Sequence, residues 1–443
     1  MCARIGGEDC GCMTGRYTGK PGLDSLEHMA VMARISRTAV DGPDSAVALI
    51  IGHNKGREPE RLAIKYGIMR ASAFAFLRGT SHLFHKRLTE AGIAPDGPPA
   101  WSSGDCHLEN FGSYLGGNGL AYFDLNDFDA AMLAPAPWDV LRLVVSLLIA
   151  PPALDLNRAE ANDLGRQTFA TWLARLKDGK ARWIERRTAG GLIGQLLNGL
   201  RKRDPVAFLD SRSKLRAGVR ALKIDGKKML PLPEKEKARL RKWLLAVTEG
   251  EGPRGYFTLV DAARRIAGVA SLGAPRYALL IEGTGSPDGN VLLDLKSAEP
   301  SAAAPYSPCK QPAWKSEAHR IVEVQTRCQA ISPGFLRAVG YEGAPFVLRQ
   351  LQPAEDRLDL AMASRRPDRF EDAMHTMAEL SAWAQLRASG RQGAADADAL
   401  IAFGGSSGLV KPLLETAHQM EEFVLADWKA FCVAYDAGEM GAK

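Results

Sequence analysis

Cysteine is scarce: the seven thiols (Cys2, Cys10, Cys12, Cys106, Cys309, Cys328 and Cys432) are odd in number and scattered over 443 residues. That excludes a small disulfide-stapled scaffold and suggests reduced thiols in a cytoplasm. Long apolar runs are also missing. The most apolar stretch, Val140–Ala150, is interrupted by Arg142 and ended by Pro151-Pro152, well below the roughly 20 residues of a membrane span. The first residues lack the basic-then-apolar order of a secretory leader. A cytoplasmic protein with no membrane partner is therefore expected. No basic run is interleaved with stacking aromatics, so the formal charge of +6 reads as a basic surface, and nucleic acid is not expected as a partner. No internal repeat is present. At 46% hydrophobic and 24% charged residues, whole-chain disorder and collagen are excluded, and the length suffices for two or three lobes with substantial cores.

Residues 1–22 are rich in Gly and Cys without apolar period and are expected to be a mobile N-terminal segment. Cys10-Gly-Cys12 has no second Cys/His pair to complete a metal site. Residues 23 to about 92 read as helical, with apolar residues at three- and four-residue steps over Glu58–Leu77. Trp101–Asp129 is dense in Gly, Asp and Asn and suggests loop, strand and loop. Trp138–Ile149 reads as a buried helix. Residues 155–248 look charged and helical, with Trp172, Trp183 and Trp243 as core anchors. The texture changes near Gly255. Arg276–Glu282 and Val291–Leu295 read as strands joined by the turn Asp288-Gly-Asn290. A four-proline loop over 300–313 follows, then a helix at Glu317–Ala330 and a strand at Phe346–Leu351. Ala373–Arg387 and Leu409–Ala434 close the chain as helices. The expected class is α+β, with a helical lobe over 23–250, a β-rich lobe over 251–355, and helices in 356–443 that complete the larger lobe.

The chemistry concentrates in Gly104–Gly112 and Tyr122–Asp129. Within 25 residues they offer Asp105, His107, Glu109, Asn110, Asp124, Asn126, Asp127 and Asp129. A solvated acidic turn is the plain alternative. Against it, the acids are flanked by Trp101, Phe111, Tyr122, Phe123 and Phe128, which favour burial, and half-buried carboxylates repel unless a cation or proton sits among them. Hard oxygen donors suit Mg²⁺ or Mn²⁺, and Mg²⁺ takes one or two carboxylates plus phosphate oxygens.

Gly104-Asp-x-His-x-x-Asn110 resembles the catalytic loop of kinase-like phosphotransferases, the aminoglycoside and choline kinase branch. Asp127-Phe-Asp129 looks like their metal-binding motif. Asp139, in Pro-Trp-Asp-Val-Leu-Arg-Leu, is similar to the structural Asp that opens a buried helix there. The resemblance implies Asp105 as the base, and Asn110 with Asp127 as metal ligands. Asp124 competes with Asp127 for that role. His107 is expected to lock the loop, with a phosphate contact as the alternative, Arg78 to pair with a loop carboxylate, and Asp129 to support the metal site. More closely, the chain from about residue 50 resembles a bacterial family described only as a domain of unknown function. The marks are Ser72–Gly79, Gly104–Gly112, Phe123–Asp129, Gly268–Gly273, Leu295–Ala298 and Arg320–Gln325.

A phosphotransferase needs a Gly-rich turn over the phosphates, a strand Lys and a helix Glu. Leu62-Ala-Ile-Lys65 imitates the strand-lysine motif, but its surroundings have helical period, so Lys65 is read as a solvated helix residue. The better set is Gly268, Ser271 and Gly273 in the turn, Lys296 on a strand, Glu323 as its helix partner with Glu317 second, and Phe346–Gln352 as the strand touching adenine. This set follows the catalytic loop in the chain. The implied architecture is thus a bilobal protein-kinase-like fold, circularly permuted, with a large helical lobe and a small β-rich nucleotide lobe. ATP and Mg²⁺ (or Mn²⁺) are the implied cofactors, and a small molecule or a protein side chain supplies the acceptor hydroxyl. Three alternatives stay open: a nucleotide-binding pseudokinase, an AMP-transferase, and a metal-dependent hydrolase without nucleotide.

Overall fold

The computed structural model describes Gly42 and residues 44–150, 154–200, 203–351, 357–358 and 367–441. The N-terminal segment with Cys10 and Cys12 lies outside the described residues, as do Pro151, Pro152 and Gln352. The class is mixed α+β.

Helices begin where caps and apolar stripes agree. α1 (Ala46–His53) is capped by Ser45, whose Oγ accepts from the Ala48 N–H. α2 (Pro59–Ala71) starts on a proline, and α3 (Ala73–Gly79) on a Ser72 cap. α4 (Ser81–Glu90) leads to β1 (Pro99–Ser102). A 3-10 turn (Leu108–Asn110) then opens the hairpin of β2 (Phe111–Leu115) and β3 (Ala121–Leu125). β4 (Met132–Pro135) pairs antiparallel with β1 and feeds α5 (Pro137–Leu148). α5 is buried through Leu147, so it forms the axis of the large core. α6 (Arg158–Asp178) runs from a capping box, Asn157 with Glu160, to the left-handed Gly179.

The stretch expected to be helical from 155 to 248 instead alternates. β5 (Ile184–Glu185) precedes α7 (Gly191–Leu200) and α8 (Pro205–Arg212). Then come the hairpin β6 (Ser213–Arg216) and β7 (Val219–Leu222), β8 (Met229–Leu230) and α9 (Glu234–Val247). Trp172 is fully buried as expected, but Trp183 is 52% exposed and anchors no core. Its neighbours Lys180, Arg182 and Glu185 offer no apolar stripe for it to join.

β9 (Leu259–Arg265), β10 (Arg276–Ile281), β11 (Val291–Ser297), β12 (Arg337–Tyr341) and β13 (Ala344–Gln350) build an antiparallel sheet ordered β12-β13-β11-β10-β9-β8. β8 and α9 belong to this assembly, so its elements begin upstream of the expected boundary at 251. The strands alternate cleanly. Tyr277, Leu279, Leu293, Leu295 and Leu348 pack with Leu240 and Leu244 of α9 on one face. On the other face, Ala278, Leu280 and Leu292 are covered by Leu222 of β7 and Leu209 of α8. The remaining part of that second face carries charge. α10 (Glu317–Cys328) lies against β12 and β13, while Ile321 and Val324 reach into the large core. α11 (Pro367–Ala388), α12 (Ala397–Gly404) and α13 (Val410–Asp436) pack with α5 and α6 to complete that core. Among the described residues, no helix is long and apolar enough to cross a membrane.

Candidate active site

Two loops and the charged half of the sheet meet at one cleft. The first loop leaves β1 at Ser103. Gly104 holds φ +73, and a Cβ there would lie 2.0 Å from the Ala130 carbonyl oxygen, so glycine alone fits. Asp139, in the first turn of α5, accepts from Ser102 Oγ at 2.6 Å and from the N–H groups of Ser103 and Gly104 at 2.7 and 3.2 Å. It thereby fixes the approach to Asp105. Burial raises its carboxyl, and these donors oppose the rise. His107 is buried and held neutral, chiefly by desolvation and then by Arg78 and Arg142. Its Nδ1 accepts from the Glu109 N–H at 3.1 Å, which closes the 3-10 turn. Arg78 meets Glu109 at 2.8 Å.

Asp105 is held by Arg142, which donates twice to its Oδ1, once at 2.8 Å. Its Oδ2 lies 3.9 Å from His107 Nε2, beyond hydrogen-bond reach. Burial pushes the Asp105 carboxyl up to about 6, against the pull of Arg142. Asn110 is the clasp between the loops. Its amide donates to the carbonyls of Asp105 and Asp127 at 3.0 and 3.1 Å, and its Oδ1 accepts from the Asp127 N–H at 2.8 Å. One lone pair on that oxygen remains for a ligand.

The second loop follows β3. Asp127 is half-exposed, and Lys296, the Asp129 N–H, Arg349 and Arg357 outweigh desolvation and hold its carboxyl below the ordinary range. The carboxylate is thus ionised and suited to a hard cation. Lys296 Nζ pairs with Asp129 and lies 4.0 Å from Asp127. Burial and the charge of Asp127 raise Asp129, with Lys296 opposing.

The sheet contributes cations in register. Asp294 on β11 is buried among Arg276 (2.8 and 2.6 Å), Arg265 (2.8 Å) and Arg349 (3.6 Å). These three guanidinium groups overcome desolvation and hold Asp294 well below the usual carboxylate range. The cleft has a volume of about 240 Å³. Asn110, Asp127, Asp129, Ser271 and Lys296 line it, together with those three arginines. Such a lining offers cationic donors for an anion beside oxygen donors of the kind a hard divalent cation takes.

The structure brings Asn110, Asp127, Asp129, Gly268, Ser271 and Lys296 to this one cleft. Gly273 stands apart, backed against Arg57. Three sequence readings are corrected. Asp124 does not line the cleft: it is buried within β3, pairs with Arg387 at 3.3 Å, and is pushed up to about 6 by burial against that arginine. Glu323 does not hold Lys296. It pairs with Arg327 one turn along, because the face of α10 turned to the cleft carries Ile321 and Gln325. Glu317, the second choice, pairs with Arg320. Lys65 is not solvated but 0% exposed. Its Nζ donates to Asn54 Oδ1 at 2.8 Å and to the Ala270 carbonyl at 3.3 Å, beneath the Gly268–Gly273 turn.

Several residues were missed. Lys65 falls on the stripe Leu62, Tyr66, Met69, which is a buried face at helical spacing and was the available signal. Arg142 was visible as the one charge in the most apolar run, and such a residue needs a partner. Arg276 and Asp294 were visible as charges within otherwise apolar strands.

No curated protein and no solved structure matches the chain. One family model does match, across both loops and the sheet.

Proposed function

The chain belongs to the family described as an uncharacterised protein conserved in bacteria (DUF2252), matched over residues 57–434, and for it we propose an ATP- and Mg²⁺-dependent phosphotransferase of kinase-like, two-lobed, circularly permuted build. The observation that carries this reading is convergence: Asn110 and Asp127 from the early loops, Ser271 from the turn after β9 and Lys296 from β11 line a single cleft. The chain order of loop, metal acid, helices, sheet and closing helices supports the permutation, since a site depends on positions in space.

The phosphates of ATP would face Lys296 and the arginines of β9, β10 and β13. Asn110 and Asp127 would hold Mg²⁺, which neutralises charge on the phosphates. Asp129 steadies Lys296, the task expected of Glu323. Asp105, aligned by Arg142, accepts the proton of the acceptor hydroxyl through Oδ2. Among the described residues no three His, Cys, Asp or Glu side chains converge as a metal cage. In the phosphotransfer reading, phosphate oxygens would complete the Mg²⁺ shell.

The test combines calorimetry with labelled ATP. Mg-ATP should bind the wild-type chain, and Asp127→Ala or Lys296→Ala should weaken that binding at least about tenfold. Asp105→Ala should keep ATP binding and abolish transfer. Wild-type protein that fails to bind Mg-ATP refutes the reading. An adenylylated rather than phosphorylated product, read by mass, would convert it to AMP transfer.

A further inference from the structure

Building on the phosphotransfer reading, we propose that Arg57 and Lys65 are positioning residues for the phosphates: from outside the sheet they hold the Gly268–Gly273 turn with its carbonyl oxygens drawn back and its N–H groups free for an anion. Neither residue lines the cleft. Arg57 lies in the loop between α1 and α2, and Lys65 lies on α2.

The turn, which joins β9 to β10, is polarised. Its Ala270 carbonyl accepts twice, from Arg57 Nη1 at 2.6 Å and from Lys65 Nζ at 3.3 Å, and the Leu272 carbonyl takes a longer bond of 3.4 Å from the same Arg57 nitrogen. The Ala267 carbonyl accepts from Ser271 Oγ and Arg276 Nη1 at 3.3 and 3.4 Å. Those of Val269 and Ser271 accept from the N–H groups of Leu272 and Ala274. The N–H groups of Gly268, Val269, Ala270 and Ser271, by contrast, donate to no acceptor among the described residues. A trans peptide sets its C=O and N–H on opposite sides, so pinning the Ala270 oxygen toward Arg57 and Lys65 sends the Ser271 N–H the other way. Gly268 and Ser271 line the cleft with Asp127 and Lys296. Successive free N–H groups in a turn make an anion-binding concavity, and a free carbonyl oxygen among them would repel the same anion.

Both donors are themselves braced. Asn54, the residue after α1, accepts from Lys65 Nζ at 2.8 Å, and its amide donates to the Ile50 carbonyl at 2.7 Å. Glu299 holds the other terminal nitrogen of Arg57 at 2.9 Å. Glu58, next in the chain, pairs with Arg264 of β9 at 2.6 Å and ties the same loop to the sheet. A Cβ on Gly273 would stand 2.9 Å from Arg57 Cβ, so the arginine stem packs directly on the turn.

The full chain, ¹⁵N-labelled at serine, is titrated with Mg-ATP and with magnesium tripolyphosphate by calorimetry and NMR, the Ser271 amide being assigned from the spectrum of Ser271→Ala. The wild type should bind both ligands, and the Ser271 N–H resonance should move downfield with each. Arg57→Ala and Lys65→Met should each raise both dissociation constants roughly three- to tenfold, the scale of one lost hydrogen bond, and shrink the Ser271 shift. Arg57→Lys, which keeps a donor, should return both constants to within about twofold of the wild type. Near-UV circular dichroism checks that each variant is folded, and Arg57→Ala decides alone if Lys65→Met is not. The proposal falls if the wild type binds Mg-ATP without moving the Ser271 resonance or without binding tripolyphosphate. It also falls if the folded variants bind both ligands as the wild type does, or lose ATP while keeping tripolyphosphate. A wild type that binds tripolyphosphate at Ser271 but not Mg-ATP would instead overturn the phosphotransfer reading and leave the role of Arg57 and Lys65 standing; binding of neither overturns both.

Discussion

Arg142→Met isolates the link between burial and the proposed base. Arg142 is fully buried. Its guanidinium donates twice to Asp105 Oδ1 and once to the Leu77 carbonyl at 2.8 Å, and it lies 4.7 Å from the Phe84 ring centroid. Methionine keeps much of the packing and deletes every donor. Breaking a buried pair from one side costs about 3–5 kcal/mol, so the urea midpoint should fall accordingly. The pH dependence carries the sharper signal. The Asp105 carboxyl is raised to about 6, so its contribution to stability is fully present below its unfolded value and is lost as pH climbs through 6. That rise corresponds to about 3 kcal/mol between roughly pH 4 and 6. Without Arg142 only desolvation is left in strength, and the carboxyl rises further. A base must be ionised to act. The acidic limb of kcat/KM should therefore lie near pH 6 in the wild type and move to higher pH in Arg142→Met. A variant limb at or below the wild-type position would refute the reasoning, as would unchanged stability.

Gly104→Ala would set a methyl 2.0 Å from the Ala130 carbonyl at φ +73. It should displace the loop and abolish transfer, while a crystal structure of the variant checks that the Asp139 bonds to residues 102–104 are broken. Glu323→Gln should leave Mg-ATP affinity within about twofold, because Glu323 forms only a half-exposed pair with Arg327; calorimetry beside Lys296→Ala decides. Lys65→Glu should cost more than about 3 kcal/mol in chemical unfolding, since it buries an unpaired carboxylate under the Gly268–Gly273 turn. A solvated lysine would tolerate the change within about 0.5 kcal/mol.

Local chemistry made much of this protein legible before any fold was known. The period of Trp138–Ile149 marked a buried helix, and the alternation in Arg276–Glu282 and Val291–Leu295 marked two strands. The spacing of Asp105, Asn110 and Asp127 marked a pair of loops, which the Asn110 amide clasps together. Those features depend on neighbours three, four or two residues away, which the sequence lists directly. Reading failed where the deciding neighbour was distant. Lys65 looked solvated although the stripe Leu62, Tyr66, Met69 marked its face as buried, and one of its two acceptors, the Ala270 carbonyl, is 205 positions away. Glu323 looked like the partner of Lys296 because both lie in the right order, yet the rotation of α10 against the sheet turns Ile321 and Gln325 inward instead. Asp124 and Asp127 were equivalent as acids until β3 placed Asp124 beside Arg387 and the Asn110 clasp held Asp127, in the loop beyond β3, at the cleft. Sequence alone therefore determined which side chains were available and which short elements would carry them, because periodicity and capping are local. The tertiary structure decided which charges face one another, because the energy of a buried ion depends on atoms within a few ångströms, wherever in the chain they come from.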